Sequence, residues 1–341
     1  MKSPFISICI PSYNRPEQLH KLIMSVDCDP SEVEIVISED NAPKRLQVRK
    51  ALDKVHQSSN YNIRYHENEV NLGFDGNIRN LVSLARGKFL IFMGDDDLFI
   101  PKSINQFISF LKQNTEKKYI LRSYLSKHEN GKTEEFRYME KTTTFQSGEN
   151  TVSWLFKRSV SIAGFTINRK EALKYSTDDL DGTLLYQVYL MSQVCMHNKS
   201  IYCDIPVAYA VQSFRDNKPM FGVSEAEKSR YTPGSVTQQN SINFTASYFE
   251  VARYLDQLHN THIADSLIVD LSKYSYPFLS IQRKNGIFSF LKYSKRLEKE
   301  LGFGCTFYFY MYKWSLVLIG EKLCDRVILL IKNTMGYTPR L

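Results

Sequence analysis

The sequence predicts an α/β fold, a parallel sheet with helices on both faces, on three observations. Phe5–Ile10 and Val33–Ile37 read as strands, the second of them buried, and the continuous apolar run Phe89–Met93 as a strand buried on both faces. Helical patterns separate them, as in Leu19, Leu22, Ile23 and Val26. Each run ends in a polar cluster, and ligands of such sheets bind at the carboxyl ends of the strands.

The elements follow in order. Phe5–Ile10 leads through Pro11-Ser12-Tyr13-Asn14-Arg15-Pro16 into a helix over Glu17–Val26. Val33–Ile37 ends in Ser38-Glu39-Asp40-Asn41, before a helix over Arg45–Gln57 and a short strand at Ile63–His66. A turn-rich loop, Asn71 to Gly76, precedes a helix at Asn77–Ala85. Phe89–Met93 then runs into Gly94-Asp95-Asp96-Asp97, with a further helix at Ile104–Leu111. Strand–helix–strand alternation needs crossover connections, hence a parallel sheet. Beyond it, Tyr119–Ser126, Glu135–Tyr138 and Ile162–Asn168 are strand candidates, and Gly148–Phe156 and Thr183–Cys195 helices. Ser213–Thr237 is a long polar loop of the kind from which lids are drawn, and Ser241–His259 and Ile263–Ser280 read as helices.

The bulk properties bound the function. The chain has 341 residues, enough for one large domain or two smaller ones, with ordinary hydrophobic (43%) and charged (23%) contents. No apolar leader precedes the first strand, and six scattered cysteines form no paired spacing, so a cytoplasmic, thiol-reduced setting without structural zinc is expected. Residues 273–341 hold 12 Lys+Arg against 4 Asp+Glu, which accounts for the whole net charge of +8. A basic excess confined to that end argues for an attachment surface there, and against nucleic acid as a partner of the rest.

Asp95, Asp96 and Asp97 repel one another and raise each other's pKa unless a cation sits among them. Mg²⁺ or Mn²⁺, which take oxygen ligands, suits such a cluster; a solvated acidic turn is the plain alternative.

Ile8-Cys9-Ile10-Pro11-Ser12-Tyr13-Asn14-Arg15, Glu34 to Asn41, Asn71-Leu72-Gly73 with Asn77, and Gly94-Asp95-Asp96-Asp97 followed by Pro101 together resemble the family 2 glycosyltransferases. The resemblance covers residues 5–101 and fades after about residue 115. It implies the GT-A (Rossmann-like) fold, a mixed, mostly parallel sheet, and inverting transfer from a nucleotide-diphosphate sugar with Mg²⁺ or Mn²⁺. It places Pro11, Tyr13, Asn14, Arg15, Glu39, Asp40, Gly73, Asn77, Arg79 and Asp95 at the nucleotide sugar. Within that set Tyr13 packs on the base, Asp40 accepts a base N–H, and Arg15 and Arg79 meet the diphosphate. It gives the metal to Asp95, Asp96 and Asp97, with Asp96 in most direct contact and Gly94 where the family often has its first Asp. Taken singly, Tyr13 reads equally as a strand-end aromatic, Asp40 as a turn residue and either arginine as a surface charge.

Inversion needs a base for the acceptor hydroxyl. Among Asp178, Asp179 and Asp181 the favoured candidate is Asp181, then Asp179; Asp181 is also a natural N-cap for a helix starting near Thr183. The position where many family members carry Glu-Asp reads Tyr186-Gln187 here.

The expected layout is a catalytic domain at 1–215, with a nucleotide-sugar half at 1–115 and an acceptor half at 116–215. A loop or lid at 216–240 and a basic, aromatic helical region at 241–341 complete it. Phe303–Gly320 is aromatic and flanked by Lys292, Lys295, Arg296, Lys322 and Arg326. It is too short and tyrosine-rich for a spanning helix, which needs about 20 apolar residues. Helices lying on an anionic membrane surface are expected there, on the inner face of the cytoplasmic membrane; a homo-oligomer interface is the alternative. A glycan or lipid-linked glycan acceptor in bacterial surface polysaccharide synthesis follows from family habit and that tail. Two other readings remain: a sugar-phosphate nucleotidyltransferase, although Pro11-Ser12-Tyr13-Asn14 lacks the glycines of a phosphate loop, and a non-catalytic basic-tailed binding module.

Overall fold

A computed structural model describes residues 3–128, 131–212, 220–234 and 236–335 of the chain, so part of the 216–240 segment lies outside the described residues. The chain forms two compact units, Met1–Gly234 and Ser235–Leu341.

The first unit is a mixed α/β structure. Strands β1 (Ile6–Ser12), β2 (Val33–Glu39), β3 (Asn62–Glu67) and β4 (Phe89–Phe92) pair in parallel in the order β3-β2-β1-β4. Helices α1 (Pro16–Met24), α2 (Arg45–Ser58) and α3 (Gly73–Leu84) make the crossovers. β1, β2 and β4 are buried apart from half-exposed Pro11, and the polar pair Ser7 and Glu34 inside them is joined by the Ser7 hydroxyl, which donates to Glu34 Oε1 at 2.5 Å. Pro11 falls where the pairing of β1 with β4, which stops at Cys9 and Phe92, has already ended. Its missing N–H therefore costs no ladder bond, and a cleft opens between the two strand ends.

The expectation of a parallel sheet is modified beyond β4. After β5 (Leu98–Phe99) and α4 (Ser103–Gln113) come β6 (Tyr119–Arg122), β7 (Tyr124–His128), β8 (Thr133–Phe136), β9 (Thr143–Phe145) and α5 (Glu149–Leu155). Then follow β10 (Phe165–Asn168), α6 (Arg169–Ala172), α7 (Tyr186–His197), β11 (Ser200–Cys203) and β12 (Ala208–Gln212). The large sheet continues β4-β10-β6-β11-β9, with β10 antiparallel to both neighbours. Tyr119–Ser126 is two strands in different sheets, because β7 joins a second sheet of order β5-β12-β7-β8.

Two helices start away from their expected positions. Asn71–Gly76 is already helical from Gly73, and α7 begins at Tyr186 rather than near Thr183. The second shift has a visible cause. Asp75 in the first turn of α3 is buried, and its two oxygens accept the N–H groups of Leu184 (2.8 Å) and Tyr186 (2.9 Å). The acid that caps α7 thus comes from another helix, at the end where the helix dipole favours it, and it fixes Leu184 at φ 63°.

The second unit is all helical: α9 (Gln238–His259), α10 (Ile263–Lys273), α11 (Tyr276–Arg283), α12 (Ile287–Leu301), α13 (Phe307–Leu318) and α14 (Glu321–Met335), preceded in the first unit by the short α8 (Glu225–Lys228). Thr237 caps α9 by accepting the N–H of Asn240. Phe290, Tyr293, Leu297, Phe303, Phe309 and Leu316 are buried between these helices. Among the described residues no helix is long and apolar enough to cross a membrane.

Burial pushes the Asp75 carboxyl up to about 7. A folded-state value above the usual carboxylate one means that this group's stabilisation is complete in acid and is lost as pH rises through about 7. Urea unfolding of the Asp75→Asn variant should show a loss of about 1–3 kcal/mol from the unmatched N–H. It should also show a shallower decline of stability between pH 4 and 7 than the unaltered protein.

Candidate active site

The carboxyl ends of β1, β2 and β4 converge on one cavity of about 420 Å³, lined among others by Ser12, Tyr13, Arg15, Asp40, Asp95, Asp96 and Glu227. The volume is in the range of small-molecule sites. Of the residues expected at the site, Pro11, Tyr13, Arg15, Asp40, Gly73, Asn77 and all three aspartates line the cavity.

The loops after β1 and β2 turn through left-handed asparagines, Asn14 (φ 65°) and Asn41 (φ 54°), a conformation asparagine tolerates better than most residues. Asn14 is not a lining residue; its Oδ1 accepts the N–H of Lys44 and ties the two loops together. Glu39 is likewise behind the wall, fully buried, accepting the Ala42 N–H and pairing with Arg45. Asp40 does reach the cavity. Its Oδ1 accepts the Leu72 N–H and the Asn68 side-chain amide, each at 2.8 Å. Asn77 holds Asn68 from the other side and donates to the Ser38 carbonyl. Burial pushes Asp40 up to about 6 against these bonds. The Tyr13 hydroxyl is also raised, by burial first and then by Asp40.

The acidic triplet divides. Asp95 Oδ2 accepts the Tyr13 N–H at 3.0 Å, and Asp95 Oδ1 is 2.8 Å from Arg15 Nη1. The same nitrogen is 3.2 Å from Asp96 Oδ2. Burial pulls the Arg15 pKa down, but Asp95 and then Asp96 outweigh it and leave it raised. Burial raises Asp95, and Arg15 acts against that. Asp97 differs: its oxygens accept the Gly94 N–H (3.2 Å) and the Val211 N–H (3.3 Å), so it pins a turn to β12. Burial, then Asp96, raises its pKa. Gly94 stands against these carboxylates, and a β-carbon there would lie 3.0 Å from both Asp96 Oδ1 and Asp97 Oδ2. A side chain at position 94 would require both carboxylates to shift by a few tenths of an ångström. Among the described residues no three His, Cys, Asp or Glu side chains gather as a metal-ligand set of their own.

The structure does not bring the expected base to the cavity. Asp181 meets Arg79 through two bonds, 2.5 and 2.7 Å, and neither residue is among those lining the cavity. Arg79, expected at the diphosphate, also donates to the Thr177 carbonyl. Asp179 is exposed and Asp178 likewise. The pair forms because α3 carries Arg79 past the 177–182 turn, 102 residues away in sequence.

Three further elements line the cavity, and of these only Gln187 was marked in the sequence, at the position where many family members carry Glu-Asp. Val160–Ala163 follows α5, and Gln187 sits on α7 with its amide nitrogen bonded to the Val160 carbonyl. Glu227 is the third: it is buried, and its oxygens accept the N–H groups of Phe74 and Gly222, both at 2.8 Å. Gly73 makes that approach possible. It lies at φ 73°, and a β-carbon there would fall 2.4 Å from Ser224 Oγ and 2.7 Å from Glu227 Oε1.

Residues 7–176 match the family described as glycosyl transferase family 2. The chain belongs to that family. The chain is 35% identical over 102 residues to the abequosyltransferase RfbV of Salmonella typhimurium, a stretch covering 29% of this chain and 30% of that protein. It is 27% identical over 135 residues to the GalNAc(5)-diNAcBac-PP-undecaprenol beta-1,3-glucosyltransferase of Campylobacter jejuni, covering 39% and 42%. The matched stretches thus span less than half of these relatives. Residues 1–349 of S. aureus TarS, solved in complex with UDP-GlcNAc, superpose over 97% of this chain and 92% of that one. The TM-score is 0.55 at 15% identity, a likeness of fold, and the fold of this family 2 chain is GT-A with a helical C-terminal region.

Asp181→Asn tests the reassignment. With both partners about one-fifth exposed, the variant should lose about 0.5–1 kcal/mol of stability and keep nucleotide-diphosphate binding. Transfer abolished with stability intact would return Asp181 to the role of base.

Proposed function

We propose that this protein transfers a sugar, with inversion, from a nucleotide-diphosphate sugar to a sugar hydroxyl on a lipid-linked acceptor in bacterial surface polysaccharide synthesis. The observation that carries the reading is the convergence, in one cavity, of an aromatic ring and a buried carboxylate (Tyr13, Asp40) with an arginine and two carboxylates (Arg15, Asp95, Asp96). Tyr13 offers a face to a nucleobase, and Asp40 an oxygen to a base N–H. Family membership and the UDP-GlcNAc bound to the TarS fold relative support the donor class. The undecaprenol-linked acceptor in the name of one relative supports a lipid carrier.

Asp95 and Asp96 fit a divalent cation. They already share one cationic group, and Mg²⁺ or Mn²⁺ commonly takes one or two carboxylates with phosphate oxygens. Asp97, committed to two backbone N–H groups, supports the turn that presents them. When bound there, the metal supplies charge neutralisation to the departing diphosphate. The protein's own share is to hold the base, fix the acidic pair, and shield the cavity through Met220 and Phe221 of the 220–234 segment, which acts as its cover.

The second unit is proposed to rest on an anionic lipid surface. Phe307, Met311, Trp314 and Leu318 are exposed at helical spacing along α13, as are Leu323, Val327 and Leu330 along α14. Exposed Lys322 and Arg326 border the second stripe, and the tail holds the whole net charge. Aromatic and aliphatic side chains beside cations suit the headgroup boundary of an anionic bilayer.

Release of nucleoside diphosphate from UDP, GDP, dTDP and CDP sugars tests the chemistry. One donor should be hydrolysed, with about 100-fold loss on EDTA treatment or in Asp96→Asn. Turnover indifferent to both removes the metal from the reading, and no turnover of any donor removes the transferase. In liposome co-sedimentation, the protein should pellet with phosphatidylglycerol vesicles and not with phosphatidylcholine ones, and a Trp314→Ser/Leu318→Ser double variant should stay in solution. A variant that still pellets, or that changes only the oligomeric state, assigns the stripe to a second copy of the chain.

A further inference from the structure

Arg15 fills the position that a cation bridging Asp95 Oδ1 and Asp96 Oδ2 would take. A single nitrogen, Nη1, lies within 2.8 Å of one carboxylate and 3.2 Å of the other. Two positive groups crowded onto that point would repel, so a divalent ion and this guanidinium compete for it. The arginine is also equipped to leave. It belongs to the loop between β1 and α1, its side chain is 17% exposed, and it lines the cavity. Its Nε is buried without a hydrogen-bond partner, a donor available to an acceptor that arrives with the ligand. Phosphate oxygens match a guanidinium through two parallel N–H bonds, which two carboxylates sharing one nitrogen do not supply.

We propose that Arg15 is the resident counter-ion of the Asp95–Asp96 pair and moves onto the diphosphate when a nucleotide and a divalent cation bind together. The inference rests on the nucleotide-sugar reading above and makes Arg15 a positioning residue that couples two ligands. The free protein then holds a divalent ion weakly, because the ion must displace a paired guanidinium. A diphosphate draws the guanidinium away and vacates the carboxylates. Coupling of this kind is reciprocal, so each ligand tightens the other.

Mn²⁺ binding, read from the loss of the free-ion EPR signal, tests this without turnover. Mn²⁺ alone should bind the Arg15→Met variant about tenfold tighter than the unaltered protein, the scale of one charge-assisted contact removed. UDP, with GDP and CDP run alongside, should bind that variant about tenfold more weakly in excess Mg²⁺. In the unaltered protein, the effective diphosphate should tighten Mn²⁺ binding beyond its own chelation of the ion in solution. That measurement needs no variant, and thermal melting checks that Arg15→Met is folded. Equal Mn²⁺ affinity in the two proteins, or no tightening by any diphosphate, overturns the role of Arg15 and leaves the metal reading standing. No Mn²⁺ binding under any condition, with turnover indifferent to EDTA, overturns both.

Discussion

Buried carboxylates that accept backbone N–H groups from distant loops hold the cleft of this protein together. Asp40 takes the amide of Leu72, Asp75 those of Leu184 and Tyr186, Asp95 that of Tyr13, Asp97 that of Val211, and Glu227 those of Phe74 and Gly222. A carboxylate withdrawn from water is costly, and a loop amide with no partner is costly too. Each of these pairs offsets one cost with the other. The strands of the sheet set where the loops begin, and the acids decide how they lie.

The same economy explains why pKa values rise around the cavity. Asp40, Asp75 and Asp95 are pushed up by burial in the first place, with hydrogen bonds or Arg15 acting against it. Asp40 and Asp95, which line the cavity, are thereby poised to respond to an arriving positive charge or N–H donor, as perturbed acids in clefts commonly are. Asp181, which a reading of the acidic turn favours, has a different environment. It is partly exposed, paired with an arginine and outside the cavity.

Much of the fold was legible because burial leaves a mark on composition. A strand covered on both faces is rich in apolar residues, so β1, β2 and β4 stood out and the polar clusters at their ends marked the cleft. Strand direction left no such mark. β10 is buried like its neighbours, and nothing in Phe165–Asn168 tells that it runs antiparallel to them. Nor does local sequence carry contacts between remote residues. Asp75 capping α7, Arg79 claiming Asp181 and Glu227 reaching Phe74 join positions 102 to 153 residues apart. The acidic triplet shows both sides. Its place at a strand end was readable, but its division into a pair that shares Arg15 and a third member that pins β12 depends on where residues 15 and 211 fold.

Gly73 has a consequence that extends past its own turn. The absent side chain leaves the space that Ser224 and Glu227 fill, and the left-handed backbone aims the next amide at Glu227. A larger residue at 73 would force the Ser224 and Glu227 side chains aside, and a shorter one than glutamate at 227 would strand the amides of Phe74 and Gly222. The Asn71–Phe74 turn and the Gly222–Glu227 segment are therefore mechanically one piece, and a change in either is felt in the other.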